Sequence, residues 1–296
     1  MASEMVCFGE TLWDIFPDGK RIGGAPLNVA SRLRSLGVKV TMISSVGKDN
    51  LGKKIKTYLK ENGISDTCLQ TDPDLPTGTV SVDLDNDGSA SYEINYPVAW
   101  DRIREDRKAI QITKASSFFI YGSLSSRDPV SYKTLKLLLD NSHFKVFDLN
   151  LRQPHYSKKS ISELVQKADL LKINDEELEV LNQWYGIKKM KHGIQLKRLS
   201  EMTSTPFICL TLGHKGAVLY TEETLYHSSG FKIEVADTVG AGDSFLAGLI
   251  YQLNQDTPKK EALEFACAVG AIVASKKGAN APVYPDEIQA LLDSKK

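Results

Sequence analysis

The sequence predicts an α/β protein: a mainly parallel β-sheet with helices on both faces, and a small antiparallel sheet set apart from it. Three observations carry this. From residue 117 onward, short apolar runs that suit buried strands alternate with stretches whose apolar residues recur at helical spacing. The chain has 296 residues, 42% of them apolar, which suffices for a sizeable core. Two segments, 77–84 and 90–96, alternate with period two and have no obvious place in a buried parallel sheet. No internal repeat or low-complexity linker interrupts the chain, so 1–296 reads as one domain.

In order, residues 5–9 (M-V-C-F-G) read as a buried strand. In the next run, 11–16, Leu12, Asp14 and Phe16 share one face and Trp13 and Ile15 the other. Apolar groups on both faces imply more than one packing partner, and Asp14 is the exception among them. A turn follows at 17–19. Gly23 and Gly24 then precede a helix with the stripe Ala25, Val29, Leu33 and Leu36, which Gly37 stops. Pro26 suits its first turn, and Asn28 there can both give and accept hydrogen bonds. Residues 40–46 form a second core strand.

Segment 47–54, G-K-D-N-L-G-K-K, nearly spells a phosphate-binding loop. Lys54, however, stands where the metal-binding hydroxyl belongs. Leu51, Ile55 and Leu59 make a stripe, so the segment reads as a solvated helix start. The alternating segments 77–84 and 90–96 are joined by a hairpin turn at 86–88, N-D-G. Together with 11–22 they make the small sheet. Later strands are expected at 117–121, 145–148, 170–173 and 206–212. The helices between and after them fall near 129–141, 160–168, 175–184 and 192–203, and a last one rich in alanine spans 259–276.

One stretch promises chemistry. Residues 237–245, D-T-V-G-A-G-D-S-F, follow an alternating run at 231–236 and lead into a helix. Gly240 and Gly242 let backbone N–H groups converge at the helix start, where the dipole favours an anion. Asp243 sits at the mouth of that site. A phosphate pocket beside a carboxylate suits phosphoryl transfer to an alcohol. On the residues alone, Asp243 is equally a helix cap.

Two stretches together resemble the paired signatures of the ribokinase-like, or phosphofructokinase-B type, sugar kinases. These are G-G-A-P-L-N-V-A at 23–30 and D-T-V-G-A-G-D-S-F at 237–245, in the family's order. The likeness runs from Gly9 to Gly278 and is closest to the fructokinases. It implies a three-layer ribokinase-like fold with a lid built from about 11–23 and 77–98, which in relatives is often also a homodimer contact. It further implies ATP-dependent phosphorylation of the terminal hydroxyl of a free ketose. G-A-P-L-N at 24–28 with D-L-N-L-R at 148–152 points to D-fructose giving fructose 6-phosphate. A 2-keto-3-deoxygluconate kinase is the same-class alternative. Ribokinases and sugar-phosphate kinases usually carry Lys where this chain has Ala25, which argues against a phosphorylated hexose, although Lys20 and Arg21 lie close by.

Residue by residue, the resemblance makes Asp243 the base and Gly240, Ala241 and Gly242 the anion hole. Arg152 falls to the transferred phosphate or the sugar. Asp14, Gly24 and Asn28 would hold the sugar. Asn174, Thr211, Gly213 and Gly216, with Gly242, would hold the nucleotide. Glu177 would place Mg²⁺ through water. Asp237, Val239, Val273, Lys276 and Gly278 would form a potassium-type site, chiefly through backbone oxygens. The cofactors implied are ATP, Mg²⁺ and K⁺. Where some relatives place a ring residue or Asn against adenine, this chain has Cys267.

Other classes fit less well. Lys plus Arg and Asp plus Glu are both 37, so no charge excess points to nucleic acid or an anionic membrane. The start shows no secretory pattern, and no run is long enough to span a bilayer. The four scattered cysteines suggest neither zinc nor disulfides. A cytoplasmic enzyme is expected. No G-x-G-x-x-G follows the first strand, against a dinucleotide oxidoreductase. Intact Asp243, Gly240 and Gly242 argue against a silent sugar-binding relative.

Overall fold

The computed structural model describes residues 4–84 and 90–295. The first part of the chain forms β1 (Glu4–Phe8), β2 (Leu12–Phe16), β3 (Gly19–Gly23), α1 (Ala25–Ser35), β4 (Lys39–Gly47), α2 (Asn50–Glu61), β5 (Ser65–Asp72), β6 (Gly78–Leu84), β7 (Ala90–Ile94) and α3 (Arg107–Ala115). Then come β8 (Phe118–Gly122), α4 (Pro129–Leu139), β9 (Phe144–Asp148), α5 (Lys158–Lys167), β10 (Leu170–Asn174), α6 (Asp175–Tyr185), α7 (His192–Thr203) and β11 (Phe207–Thr211). The last elements are β12 (Ala217–Thr221), β13 (Thr224–Ser228), α8 (Ala241–Leu253), α9 (Lys259–Ala274) and α10 (Pro285–Asp293).

Among the described residues, nine strands form the main sheet in the order β13-β12-β11-β10-β9-β8-β1-β4-β5. The strands from β11 to β5 are mutually parallel, and the β12–β13 hairpin extends one edge antiparallel. Strand alternation divides the core in two. Met5 and Cys7 of β1 join the cluster under α1, α2, α8, α9 and α10, while Val6 and Phe8 join the cluster under α4 to α7. Burial on both sides is why these strands read as continuous apolar runs. Each fully buried Phe or Leu contributes about 1.5–3 kcal/mol relative to exposure. The chain winds from β1 outward through β4 and β5, then returns to build β8 to β11 on the other side. That reversal opens a crevice at the carboxyl ends of β1 and β8, the usual place for a ligand in such a sheet.

The second sheet has the order β3-β2-β6-β7. It is mixed rather than purely antiparallel, because β2 and β6 pair parallel. The reason lies in the parent strands. β1 and β5 run the same way in the main sheet, and each chain continues outward from its carboxyl end into the lid. Both faces of β2 find partners, as its pattern required. Leu12 and Phe16 cluster with Val80 and Ile94, while Trp13 and Ile15 pack on the main core. Trp13 Nε1 donates to Leu51 O at 3.2 Å.

The expected turn at 86–88 lies outside the described residues. The near-phosphate loop is a helix start: Asp49 caps α2 by accepting from Gly52 N at 2.8 Å, and Lys48, Lys53 and Lys54 are exposed. The alternating run 231–236 joins no ladder. Its end is instead tied to α9, with Ala236 N and Asp237 N both donating to Ala274 O.

Candidate active site

The loop before α8 is held by its first residue. Asp237 Oδ1 accepts from Val239 N and Oδ2 from Gly278 N, both at 3.0 Å. This clamps 237–239 onto the segment after α9. Gly240 begins the helix at φ 74°, and a Cβ there would lie 2.5 Å from Ala279 Cα. Only glycine satisfies both the conformation and the close approach. The first N–H groups of α8 lack helical acceptors. Ala241 N turns back toward Thr238 O at 3.3 Å. A Cβ on Gly242 would stand 3.3 Å from Lys172 Nζ, so a buried ammonium lies directly against the helix start.

Asp243, in the first turn, accepts from Asn28 Nδ2 at 2.8 Å. Asn28 is buried on α1, which packs along α8. Burial, then the nearby Asp148 carboxylate, push the Asp243 carboxyl up to about 6. The Asn28 bond, Lys172 and Arg152 oppose the shift. Asp14 is likewise raised to about 6, by burial and then by Asp243, against Arg21. A cavity of ≈ 260 Å³ joins Asp14 and Arg21 to Asp237, Gly278 and Asn280. Asn28 thus meets Asp243 directly, and Asp14 lies within the field of Asp243. Gly24 caps α1 and packs on the backbone of Glu10.

Three buried charges there were given no role of their own from the sequence, Asp148 entering only as the first residue of D-L-N-L-R. Lys172 Nζ pairs with Asp148 Oδ1 at 2.9 Å, both side chains being buried. Asp148 Oδ2 has no hydrogen-bond partner among the described residues. Glu10 lies at the start of α1, accepting from Ala25 N, and burial pushes its carboxyl to about 7. The signal for Lys172 was available, since a lysine interrupts the apolar run L-L-K-I-N of β10. The signal for Glu10 was not, because its neighbours Asp243 and Arg127 come from distant segments.

Asn174 and Glu177 form a reciprocal capping box on α6. Glu177 Oε2 accepts from Asn174 N and Oε1 from Leu151 N, both at 2.9 Å. Glu177 therefore braces the loop after β9, and it lies within the field of Lys172. Arg152, on that loop, is exposed, and its charge is felt at Asp243. Thr211 Oγ1 donates to Ile173 O at 3.2 Å at the end of β11. Gly213 and Gly216 bracket the next turn, with φ 57° and 92°. Cys267 is buried on α9 and bonds to Ser228. Val273 is also buried on α9, its carbonyl accepting from Lys276 N at 3.0 Å, and Lys276 Nζ pairs with Glu287 of α10. Among the described residues, no group of three or more His, Cys, Asp or Glu could hold a metal ion.

Comparison with known proteins gives the chain its family. Residues 5–287 match the model of the pfkB family carbohydrate kinases. The chain is 30% identical to the probable fructokinase-4 of Arabidopsis thaliana, over 98% of this chain and 97% of that protein. It is also 30% identical to a fructokinase of Solanum tuberosum, over 97% and 94%. Among solved structures, the fructokinase of Vibrio cholerae O395 with bound fructose, ADP and calcium superposes with a TM-score of 0.84 at 26% identity, covering 98% of this chain and 99% of that one. A double mutant of that enzyme, in a fructose-, ADP- and potassium-bound form, matches with the same TM-score at 25% identity, covering 98% of each chain.

Proposed function

The chain belongs to the pfkB family of carbohydrate kinases, and from that premise we propose that it transfers the γ-phosphoryl group of ATP to the terminal hydroxyl of D-fructose, giving fructose 6-phosphate. The observation that carries the reading is Asp243: a half-buried carboxylate at the start of α8, hydrogen-bonded to Asn28 and within the field of Asp14, with Lys172 against Gly242 of the same helix start.

Fructose occupies the cavity beside Asp14, where the Asp14 carboxylate and the Asn28 amide accept and donate hydrogen bonds. Its terminal hydroxyl meets Asp243, which takes the proton as the oxygen attacks phosphorus. The moving phosphoryl lies against the first N–H groups of α8, at the positive end of the helix dipole. Lys172, behind Gly242, and Arg152, on the loop after β9, add positive charge. The nucleotide extends over Asn174, Thr211 and the Gly213–Gly216 turn. Mg²⁺ bound with ATP would supply neutralising charge at the phosphates. The orphaned Asp148 Oδ2 and the adjacent Glu177 suit its water shell. The Asp237–Val239 loop clamped to Gly278 suits a monovalent cation behind the anion hole.

The test is turnover of purified protein with ATP and Mg²⁺ across a panel of sugars. ADP release should be fastest with fructose, and the product should be converted by an isomerase that accepts fructose 6-phosphate. Arg21 at the cavity favours a second candidate, the acidic 2-keto-3-deoxygluconate. Turnover with that sugar and none with fructose would overturn the first choice. Because Asp243 must be deprotonated to act, kcat/KM for the sugar should fall on the acid side with a midpoint near the group's value of about 6.

The four-stranded sheet is the lid in this reading, with β2 carrying Asp14 on its cavity side. Hydrogen exchange in β2, β3 and β6 should slow at saturating fructose. Unchanged exchange would argue against closure over the sugar. A homodimer through this lid is part of the same proposal.

A further inference from the structure

We propose that Asn280 is a positioning residue for phosphoryl transfer: its Nδ2 fixes the Asn28 amide so that Asn28 holds one oxygen of Asp243 and leaves the other for the substrate hydroxyl. The proposal rests on Asp243 being the base.

The relay has two bonds. Asn280 Nδ2 donates to Asn28 Oδ1 at 3.2 Å, and Asn28 Nδ2 donates to Asp243 Oδ2 at 2.8 Å. An amide is nearly symmetric in shape but not in charge. Turned over, Asn28 would set its carbonyl oxygen against the Asp243 carboxylate and its NH₂ against the NH₂ of Asn280. Both contacts repel, so the donor on Asn280 adds to the Asp243 carboxylate in holding Asn28 in the one orientation that serves Asp243.

A second tie, one step deeper, holds the three segments in register. Arg32 lies one helical turn beyond Asn28 on α1. Its Nε donates to Ser244 Oγ at 3.2 Å and its Nη2 to Ala281 O at 2.6 Å. Those partners directly follow Asp243 and Asn280 in the chain. Arg32 is buried, and desolvation brings it down only to about 10, so it stays charged at neutral pH. Gly240 packed on Ala279 closes the same joint from the helix start. The segment 279–281 is thereby fixed against both helices, and Asn280 presents its donor from a rigid platform.

Asp243 also sits in the fields of Asp148, Lys172 and Arg152, and in turn acts on Asp14 and Glu10. None of these sets the orientation of Asn28. Asn280 reaches it directly, from the wall of the cavity that also holds Asp14.

The experiment is a double-mutant cycle on kcat. Asn280→Asp keeps the shape but replaces the donor by an acceptor, and Asn280→Leu removes both roles. Each should lower kcat by about tenfold, the worth of one charge-linked hydrogen bond. KM for ATP and the Tm should stay near the parent values in Asn280→Asp. In an Asn28→Ala background, neither change at 280 should lower kcat further. Losses that multiply in the double variants would overturn the relay, as would full kcat in Asn280→Asp. Should Asn280→Leu fold poorly, the shape-conserving Asp variant carries the test alone. Asp243→Asn run in parallel separates the two levels. Near-normal turnover there overturns the base itself, whereas lost turnover there with multiplying losses at 28 and 280 overturns only the relay.

Discussion

Asp243→Asn should lower kcat by about 10²–10⁴-fold, the usual worth of a general base, and leave KM for fructose and ATP close to the parent values. Asn keeps the shape and can still accept from Asn28 Nδ2, so the bond at 2.8 Å has a partner in the variant. What it cannot do is take the hydroxyl proton. A helix cap would behave otherwise, since Asn caps about as well as Asp and turnover would survive. Stability gives a second readout with a definite sign. The folded-state value of Asp243 is raised to about 6, chiefly by burial. The native state therefore binds the proton more tightly than the unfolded chain. Its contribution to stability is fully present below the ordinary Asp range near 4 and is lost as pH rises through about 6. At pH 8 the parent buries a charge that the Asn variant lacks. The variant should then have a Tm at or above the parent's at pH 8, with the difference shrinking or reversing at pH 5. A variant that keeps near-normal kcat ends the assignment of Asp243 as base, whatever its Tm.

The parts of this site that were legible in the sequence are those where local geometry dictates the residue. Gly240 is one: the φ of 74° and the contact with Ala279 admit no side chain. Asp14 stood out as the polar exception in an apolar strand, whereas Asn28 was marked by the family signature G-G-A-P-L-N-V-A rather than by its spacing. The main sheet was legible because strands buried on both faces make continuous apolar runs. Strand direction in the lid was not, because the parallel pairing of β2 with β6 depends on how β1 and β5 run in the other sheet. The amide relay through Asn280 was equally hidden. Asn28 and Asn280 sit near opposite ends of the chain, and only the packing of 279–281 on α1 and α8 brings them together. N-x-x-E at 174–177 shows the opposite limit, since its capping-box geometry is real and is also what carries Glu177 to Lys172.

Lys172→Met should have the other large effect, and it separates charge balance from catalysis. Lys172 is the cation among Asp148, Glu177 and Asp243. Burial pulls its ammonium toward the neutral form, yet those three carboxylates together hold it above the ordinary lysine range. It is therefore charged throughout the pH range in which the enzyme would be assayed, and its own titration contributes no pH dependence there. Removing it leaves Asp148 buried without a counter-ion, with Oδ2 already unpartnered. Breaking a buried pair from one side costs about 3–5 kcal/mol. Replacing both members, as Asp148→Asn with Lys172→Met, should recover much of the stability, since no lone buried charge remains. Turnover should not recover with it. The ammonium against Gly242 stabilises charge on the moving phosphoryl, and removing one such group typically costs about 10²–10³ in kcat. A double variant that regains both Tm and kcat would reduce Lys172 to a partner of Asp148. One that regains Tm alone would place its charge in the transition state.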